Sequence, residues 1–280
     1  MEVKCLNVLP PSIQSIVKQS LRQNDEEIRI SVGRPIMLIG SERRRLNHII
    51  TAEECENMLE LICGHSLFAH EEELKGCYIT LEDGSRVGMA GKFTPAGMTM
   101  PHSFNIRIAR EVKGAADEFI GCMLTDRLHS ALLLSQPGAG KTTVLRDTAK
   151  QLSEGGYKVG VADERGEIAA SVNGIPILDV GYADVMSGCM KAKGMTALLR
   201  GMSPEVLITD EIASKEDAMA VLEASGCGVR VIASAHGSGA EVLRRRGISE
   251  AIGEGAFEKV LVLTKESMGR KIRDITGEVI

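Results

Sequence analysis

The stretch Ser135-Gln136-Pro137-Gly138-Ala139-Gly140-Lys141-Thr142-Thr143 allows few folds around it. Ala131-Leu132-Leu133-Leu134 before it is a short apolar run bounded by turn residues, the pattern of a buried parallel strand. Val144, Leu145, Ala149 and Leu152 after it recur at helical spacing. Between strand and helix, Gly138 and Gly140 let the chain curl so that several backbone N–H groups point at one anion. The helix adds the positive end of its dipole. Lys141 is expected to reach the β- and γ-phosphates of a nucleotide, and the Thr142 hydroxyl to ligate Mg²⁺. The usual pattern, G-x-x-x-x-G-K-[ST], opens on glycine; here Ser135 stands in that place, and a small residue fits it. A plain Gly/Pro loop carrying a surface lysine is the bland alternative, and the strand–loop–helix context argues against it.

A second segment completes the chemistry. Val206-Leu207-Ile208-Thr209-Asp210-Glu211 is an apolar strand ending in two carboxylates. Asp210 is expected to hold Mg²⁺ through its water shell. Glu211, next in line, is expected to orient or deprotonate an attacking water. The bland alternative is a strand that ends in an acidic turn. Loop and acidic strand in this order point to Mg·ATP hydrolysis.

Composition narrows the remaining classes. The 280 residues suffice for one large or two ordinary domains, and 44% hydrophobic and 25% charged residues are those of a globular protein. Aromatics are only 3%, with no Trp, so the core is aliphatic and stacking platforms for single-stranded nucleic acid are not expected. A net charge of −5 gives no polyanion-seeking field. Arg43-Arg44-Arg45 and Arg244-Arg245-Arg246 run the other way; they read as solvated surface, a subunit contact or a docking patch. The seven Cys are odd in number and show no C-x-x-C, which fits free thiols in a reducing cytoplasm and no metal or disulfide framework. No apolar run approaches a membrane span, and Met1 to Leu21 carries no signal region. The expectation is a cytoplasmic protein that reaches a membrane only through partners.

Two halves are expected: an α+β domain over residues 1–125 and an α/β domain over 126–280. In the first, Ser12 to Leu21 reads as a helix, 28–32 and 36–39 as short strands around Gly33-Arg34-Pro35, and Thr51-Ala52-Glu53-Glu54 as a capping box. Asp83-Gly84 marks a hairpin, Phe104 to Arg110 a half-buried strand, and Gly114 to Thr125 a linking helix. In the second, strands are expected at 130–135, 157–162, 176–180, 205–209 and 229–235 with helices between most of them, the pattern of a parallel doubly wound sheet. Residues 260–263 and 271–275 read as a closing hairpin.

Three further motifs carry a resemblance: Val161-Ala162-Asp163-Glu164-Arg165-Gly166-Glu167, Leu198-Leu199-Arg200-Gly201-Met202-Ser203-Pro204-Glu205, and Val231-Ile232-Ala233-Ser234-Ala235-His236-Gly237. Their order resembles that of the secretion ATPases of type II and type IV systems and of pilus motors. There an acidic box, a leucine/arginine segment and a histidine box follow or flank the two nucleotide motifs. Details resemble the stage III sporulation AA family of endospore-forming bacteria, among them the Asp-Glu-Arg-x-Glu order of the acidic box and Gly-Cys-Tyr-Ile-Thr at 76–80. The acidic box departs from the Glu-Asp-Pro-x-Glu of the secretion motors, which leaves open whether Asp163, Glu164 or Glu167 faces the γ-phosphate. The resemblance implies a RecA-like P-loop core that binds ATP and Mg²⁺. It implies a homo-oligomer, a hexameric ring with nucleotide at subunit interfaces, and His236 as γ-phosphate sensor. It also implies an arginine supplied in trans, from Arg107 or Arg110, with Arg86 as a third candidate. The role implied is in sporulation, with membrane proteins of a transenvelope channel as partners.

Three other classes share the phosphate cradle. A nucleic-acid-dependent ATPase would require DNA or RNA stimulation, and charge and aromatic content count against it. A small-molecule kinase seldom places a water-activating Glu after the Mg²⁺ Asp. A nucleotide-gated scaffold with weak hydrolysis would carry the same motifs as a motor.

Overall fold

The computed structural model describes residues 4–64, 74–94, 97–109, 112–171, 174–237, 251, 253–266 and 269–279. The chain divides into two compact units, Met1–Arg110 and Glu111–Ile280.

In the first unit, α1 (Pro11–Ser20) precedes β1 (Glu27–Ser31), β2 (Pro35–Ile39) and β3 (Arg43–Ile49); α2 (Ala52–Ile62) precedes β4 (Tyr78–Thr80), β5 (Arg86–Thr94) and β6 (Gly97–Arg107). The six strands form one antiparallel sheet in the order β3-β2-β1-β6-β5-β4. Alternation along the strands sends Ile28, Ile30, Phe104 and Ile106 inward against Ile13 and Val17 of α1 and Met58 and Ile62 of α2. The capping box of α2 forms as its spacing predicts: Glu54 N–H donates to Thr51 Oγ1 at 3.1 Å and Thr51 N–H to Glu54 Oε2 at 3.0 Å. The expected hairpin turns on Gly84 at φ 80°, with Thr80 opposite Arg86. In the first arginine run, Arg44 is half-buried: it pairs with buried Asp25 and donates to Ser20 O at 3.0 Å.

The second unit runs α3 (Asp117–Met123), β7 (Ala131–Ser135), α4 (Lys141–Glu154), β8 (Val159–Asp163), β9 (Asp184–Ser187), α5 (Lys191–Met202), β10 (Val206–Glu211), α6 (Lys215–Gly226), β11 (Arg230–His236), β12 (Lys259–Glu266) and β13 (Gly269–Asp274). Its seven-stranded sheet has the order β13-β12-β7-β11-β10-β8-β9, parallel except for β13. Both faces are covered. Ala131 and Leu133 of β7 pack with Val144, Leu145 and Ala149 of α4, while Leu132 and Leu134 pack into a cluster with Leu198 of α5 and Val221 of α6. Each buried Leu or Val of this kind is worth about 1.5–3 kcal/mol, which is how a chain with few aromatics builds two cores.

Two expectations differ from what is found. Residues 111–125 go with the second unit, because Ala116, Phe119 and Met123 share an apolar cluster with Leu133 and Val144. Residues 176–180 are not a strand. The Ile177 and Leu178 N–H groups both donate to Ala169 O at 3.0 Å, and Pro176 has no donor for a ladder. The strand beside β8 is instead β9, at the sheet edge. Among the described residues, no helix is long and apolar enough to cross a membrane.

Candidate nucleotide site

The loop after β7 has the backbone that an anion cradle needs. Gly138 (φ 75°) and Gly140 (φ 98°) are both left-handed, a conformation that a side chain resists. Ser135 is fully buried and donates its hydroxyl to Gln136 O at 2.9 Å, so serine fits where glycine is usual. Gln136, Pro137 and Gly138 form an exposed crest, while Ala139 is buried. α4 starts on Gly140 with no side-chain cap. By contrast, α2 and α6 start on complete capping boxes, Thr51 with Glu54 and Ser214 with Asp217. The first N–H groups of α4, those of Lys141, Thr142 and Thr143, are left for a ligand.

Sheet register brings the acidic strand to this loop. β11 lies between β7 and β10, with His236 opposite Ser135 and Ser234 opposite Glu211. His236 therefore stands between the loop and the acidic strand. Its Nδ1 lies 3.1 Å from Lys141 Nζ and its Nε2 2.9 Å from Glu211 Oε2. A neutral imidazole with its proton on Nε2 satisfies both contacts, accepting from the ammonium and donating to the carboxylate. Burial pulls the Lys141 pKa below the ordinary lysine range, and the Glu211 and Glu167 charges draw it back up.

Asp210 is buried beneath this row, and burial pushes its pKa up to about 6; Lys191 opposes the rise, while Asp163 and Glu167 add to it. Near neutral pH it is a buried carboxylate in need of a cation. Lys191, itself buried, supplies one: Nζ lies 2.7 Å from Asp210 Oδ1, 3.8 Å from Glu164 Oε2 and 2.5 Å from the Glu211 carbonyl oxygen. The Asp210 contact is a close ion pair under burial, with Lys191 as the cation.

The acidic box separates by role. Asp163 is fully buried, and its two oxygens accept from the N–H groups of Glu167, Ile168 and Ala169 at 2.8–3.2 Å, so it shapes the loop. Burial raises the Asp163 pKa against those hydrogen bonds. Arg146 of α4 donates to Glu167 O at 2.7 Å and to Ile168 O, tying the acidic loop to the helix of the cradle. Glu164 faces Lys191 and Glu167 lies within electrostatic reach of Lys141, so these two keep carboxylates near the site.

The residues fit Mg²⁺ held together with a nucleotide. Asp210, buried with its carboxylate held against Lys191, and the Thr142 hydroxyl are hard oxygen donors of the kind Mg²⁺ takes alongside phosphates. The described residues contain no group of three or more His, Cys, Asp or Glu placed to hold a metal by themselves. Bound there, the ion would neutralise charge on the β- and γ-phosphate oxygens.

The arginine candidates belong to the first unit. Arg107 is exposed at the end of β6, paired in register with Glu27 and Arg86. The Arg86 guanidinium lies 3.8 Å from the centroid of the Tyr78 ring. Arg110 and Arg244-Arg245-Arg246 lie outside the described residues. Sequence reasoning overlooked Lys191 and Arg146. For Lys191 a signal existed: Lys191-Ala192-Lys193 opens α5 with no acid in its first turn, against the dipole preference for acids there.

Because Lys191 and Asp210 neutralise each other under burial, Lys191→Met should cost about 3–5 kcal/mol and lower the melting temperature by roughly 6–15 °C. Lys191→Met combined with Asp210→Asn should recover most of that loss in thermal unfolding. A melting temperature of Lys191→Met within about 2 °C of the parent would show that the pair does not hold the site.

Fold and site together define a protein with a P-loop on a RecA-like α/β core. The chain belongs to the family described as Sporulation stage III, protein AA, whose model matches residues 2–279. It is 38% identical over 274 residues to the stage III sporulation protein AA of Bacillus subtilis (strain 168), covering 92% of this chain and 89% of that protein. It is 35% identical over 124 residues to the uncharacterized protein ycf45 of Porphyra purpurea, covering 43% of this chain and 22% of that protein. Among solved structures, the Legionella pneumophila ATPase DotB matches with a TM-score of 0.65 at 18% identity, over 95% of this chain and 80% of that one. The pilus retraction motor PilT with bound ADP matches with a TM-score of 0.60 at 14% identity, over 93% and 81%. At such identities the likeness is one of fold.

Proposed function

We propose that the chain is an Mg²⁺-dependent ATPase that works as a homo-oligomeric ring, with nucleotide held at subunit interfaces. The reading is carried by the row Lys141–His236–Glu211, which joins the phosphate-binding lysine to the water-activating carboxylate through 3.1 and 2.9 Å contacts. In turnover, the loop N–H groups and Lys141 hold the β- and γ-phosphates. A water attacks the γ-phosphorus and gives its proton to Glu211; the bond to the β,γ-bridging oxygen breaks and ADP leaves with the electron pair. His236, in contact with Lys141 and Glu211, reports whether a γ-phosphate is present. Arg107 or Arg110 of a neighbouring subunit adds the trans charge. The membership in a sporulation family supports a role in spore formation: the ring acts from the mother-cell cytoplasm on membrane proteins of a channel to the forespore, driving its assembly or transport through it.

Light-scattering mass of the Glu211→Gln protein, with and without Mg·ATP, tests the ring. A shift from the 30.1 kDa monomer to a closed oligomer is expected on adding nucleotide. A monomer under both conditions, with ATP demonstrably bound, would sink the self-assembling ring. Within an assembled ring, Arg107→Ala should spare binding and cut turnover by roughly 10³-fold or more if it supplies the trans charge. Normal turnover would leave Arg110 or Arg86 as the source.

A further inference from the structure

The terminal hairpin overhangs the phosphate loop. β12 pairs in parallel with β7 as far as Leu263 opposite Ser135, where β7 ends. β12 then continues through Thr264, Lys265 and Glu266, and β13 returns from Gly269 with Arg270 opposite Lys265. At about 3.3 Å per residue, the overhang projects on the order of 10 Å past the carboxyl edge of the sheet, the edge at which α/β sheets bind ligands. The side chain it delivers is Arg270. A side chain at position 140 would bring its Cβ within 2.6 Å of Arg270 Nε, 2.8 Å of Nη2 and 2.9 Å of Cζ. Glycine at 140 thus serves two ends, the left-handed turn and room for this guanidinium.

Positive groups converge there without a direct carboxylate contact, although the Glu211 and Glu167 charges reach Lys141 from further off. The guanidinium rests on the residue that starts α4, beside the positive end of that helix and next in sequence to Lys141. Among the described residues, no carboxylate pairs with Arg270 or with Lys141. Three positive features gathered in a half-buried place, none closed by an acid, are complementary to a polyanion. A guanidinium also offers a planar fork of donors that matches two phosphate oxygens at once.

We infer that Arg270 is a phosphate-contacting residue that the terminal hairpin adds from the same chain, clamping the polyphosphate of a nucleoside di- or triphosphate against the loop. This rests on the nucleotide-binding reading of that loop. Direct titration with fluorescent ADP and ATP, with and without Mg²⁺, tests it on the full chain. Arg270→Ala should weaken both nucleotides about 10- to 100-fold, the worth of one or two charge-assisted hydrogen bonds. Arg270→Lys should recover only part of that, because an ammonium lacks the fork. Binding should also become less sensitive to salt, while thermal unfolding stays unchanged, since Arg270 lies at the end of an edge strand. Arg270→Ala binding within twofold of the parent would overturn the inference, and so would tighter binding, which would mark the side chain as a plug. Lys141→Ala measured alongside separates the two ideas. If Lys141→Ala loses binding while Arg270→Ala keeps it, the clamp fails alone; if Lys141→Ala keeps it, the loop reading fails too.

Discussion

Lys141→Ala should weaken Mg·ATP binding by at least roughly 100-fold, because two charge-assisted contacts to phosphate oxygens are each worth about 1.5–3 kcal/mol. The structure explains why this ammonium has so much to give. It is partly desolvated, which lowers its pKa, and its contact on the acidic side is made through His236 rather than directly with a carboxylate. A phosphate at the loop would satisfy a cation already stripped of part of its water. The same reasoning fixes the sign of the stability effect. Removing a half-desolvated cation removes a cost as well as a contact, so the melting temperature of Lys141→Ala should stay within about 2 °C of the parent. Isothermal titration with Mg·ATP and a thermal melt check both halves. Undiminished affinity would mean that the strand–loop–helix does not hold phosphate. Lost affinity with a collapsed melt would mean that the lysine is structural.

What could be read from the sequence here is what local rules enforce. The glycines at 138 and 140 require left-handed backbone, and both adopt it. Thr51 with Glu54 is a local capping device, and it forms. The parallel sheet follows from alternating apolar runs and helices. What escaped depends on contacts distant along the chain. Asp163 looks in sequence like a candidate for the γ-phosphate, yet both its oxygens are taken by N–H groups of its own loop, a result of how the chain turns after β8. Residues 176–180 have strand composition, but the Ile177 and Leu178 N–H groups are used by Ala169, and the edge passes to 184–187. Lys191 is 19 residues before Asp210, at the start of the helix that follows β9, and the pairing of β8 with both β9 and β10 brings them together. Arg270 likewise meets Gly140 only because β12 enters the sheet on the far side of β7 from β11.

Glu211→Gln should lower phosphate release by about 10²–10⁴-fold while ATP affinity stays within a few-fold of the parent, the expected effect of removing a general base without removing a ligand. The substitution keeps the length of the side chain, and an amide oxygen can still accept the proton that His236 Nε2 donates at 2.9 Å, so the row from the loop to the acidic strand stays connected. Asp210, the preceding residue, and its ion pair with Lys191 keep their side chains, so the carboxylate that would hold Mg²⁺ remains. Lost turnover with retained binding would therefore locate the deficit in proton transfer. Single-turnover phosphate release paired with equilibrium binding gives the two numbers separately. Parent-like turnover would move the base to Glu164 or Glu167, the two acids of the box whose charges lie near Lys191 and Lys141. Turnover and binding lost together would mean that Glu211 holds the site open, with its contact to His236 as the support. The choice between the acids follows from geometry: Glu211 shares an imidazole with Lys141, whereas Glu164 faces an ammonium already 2.7 Å from Asp210.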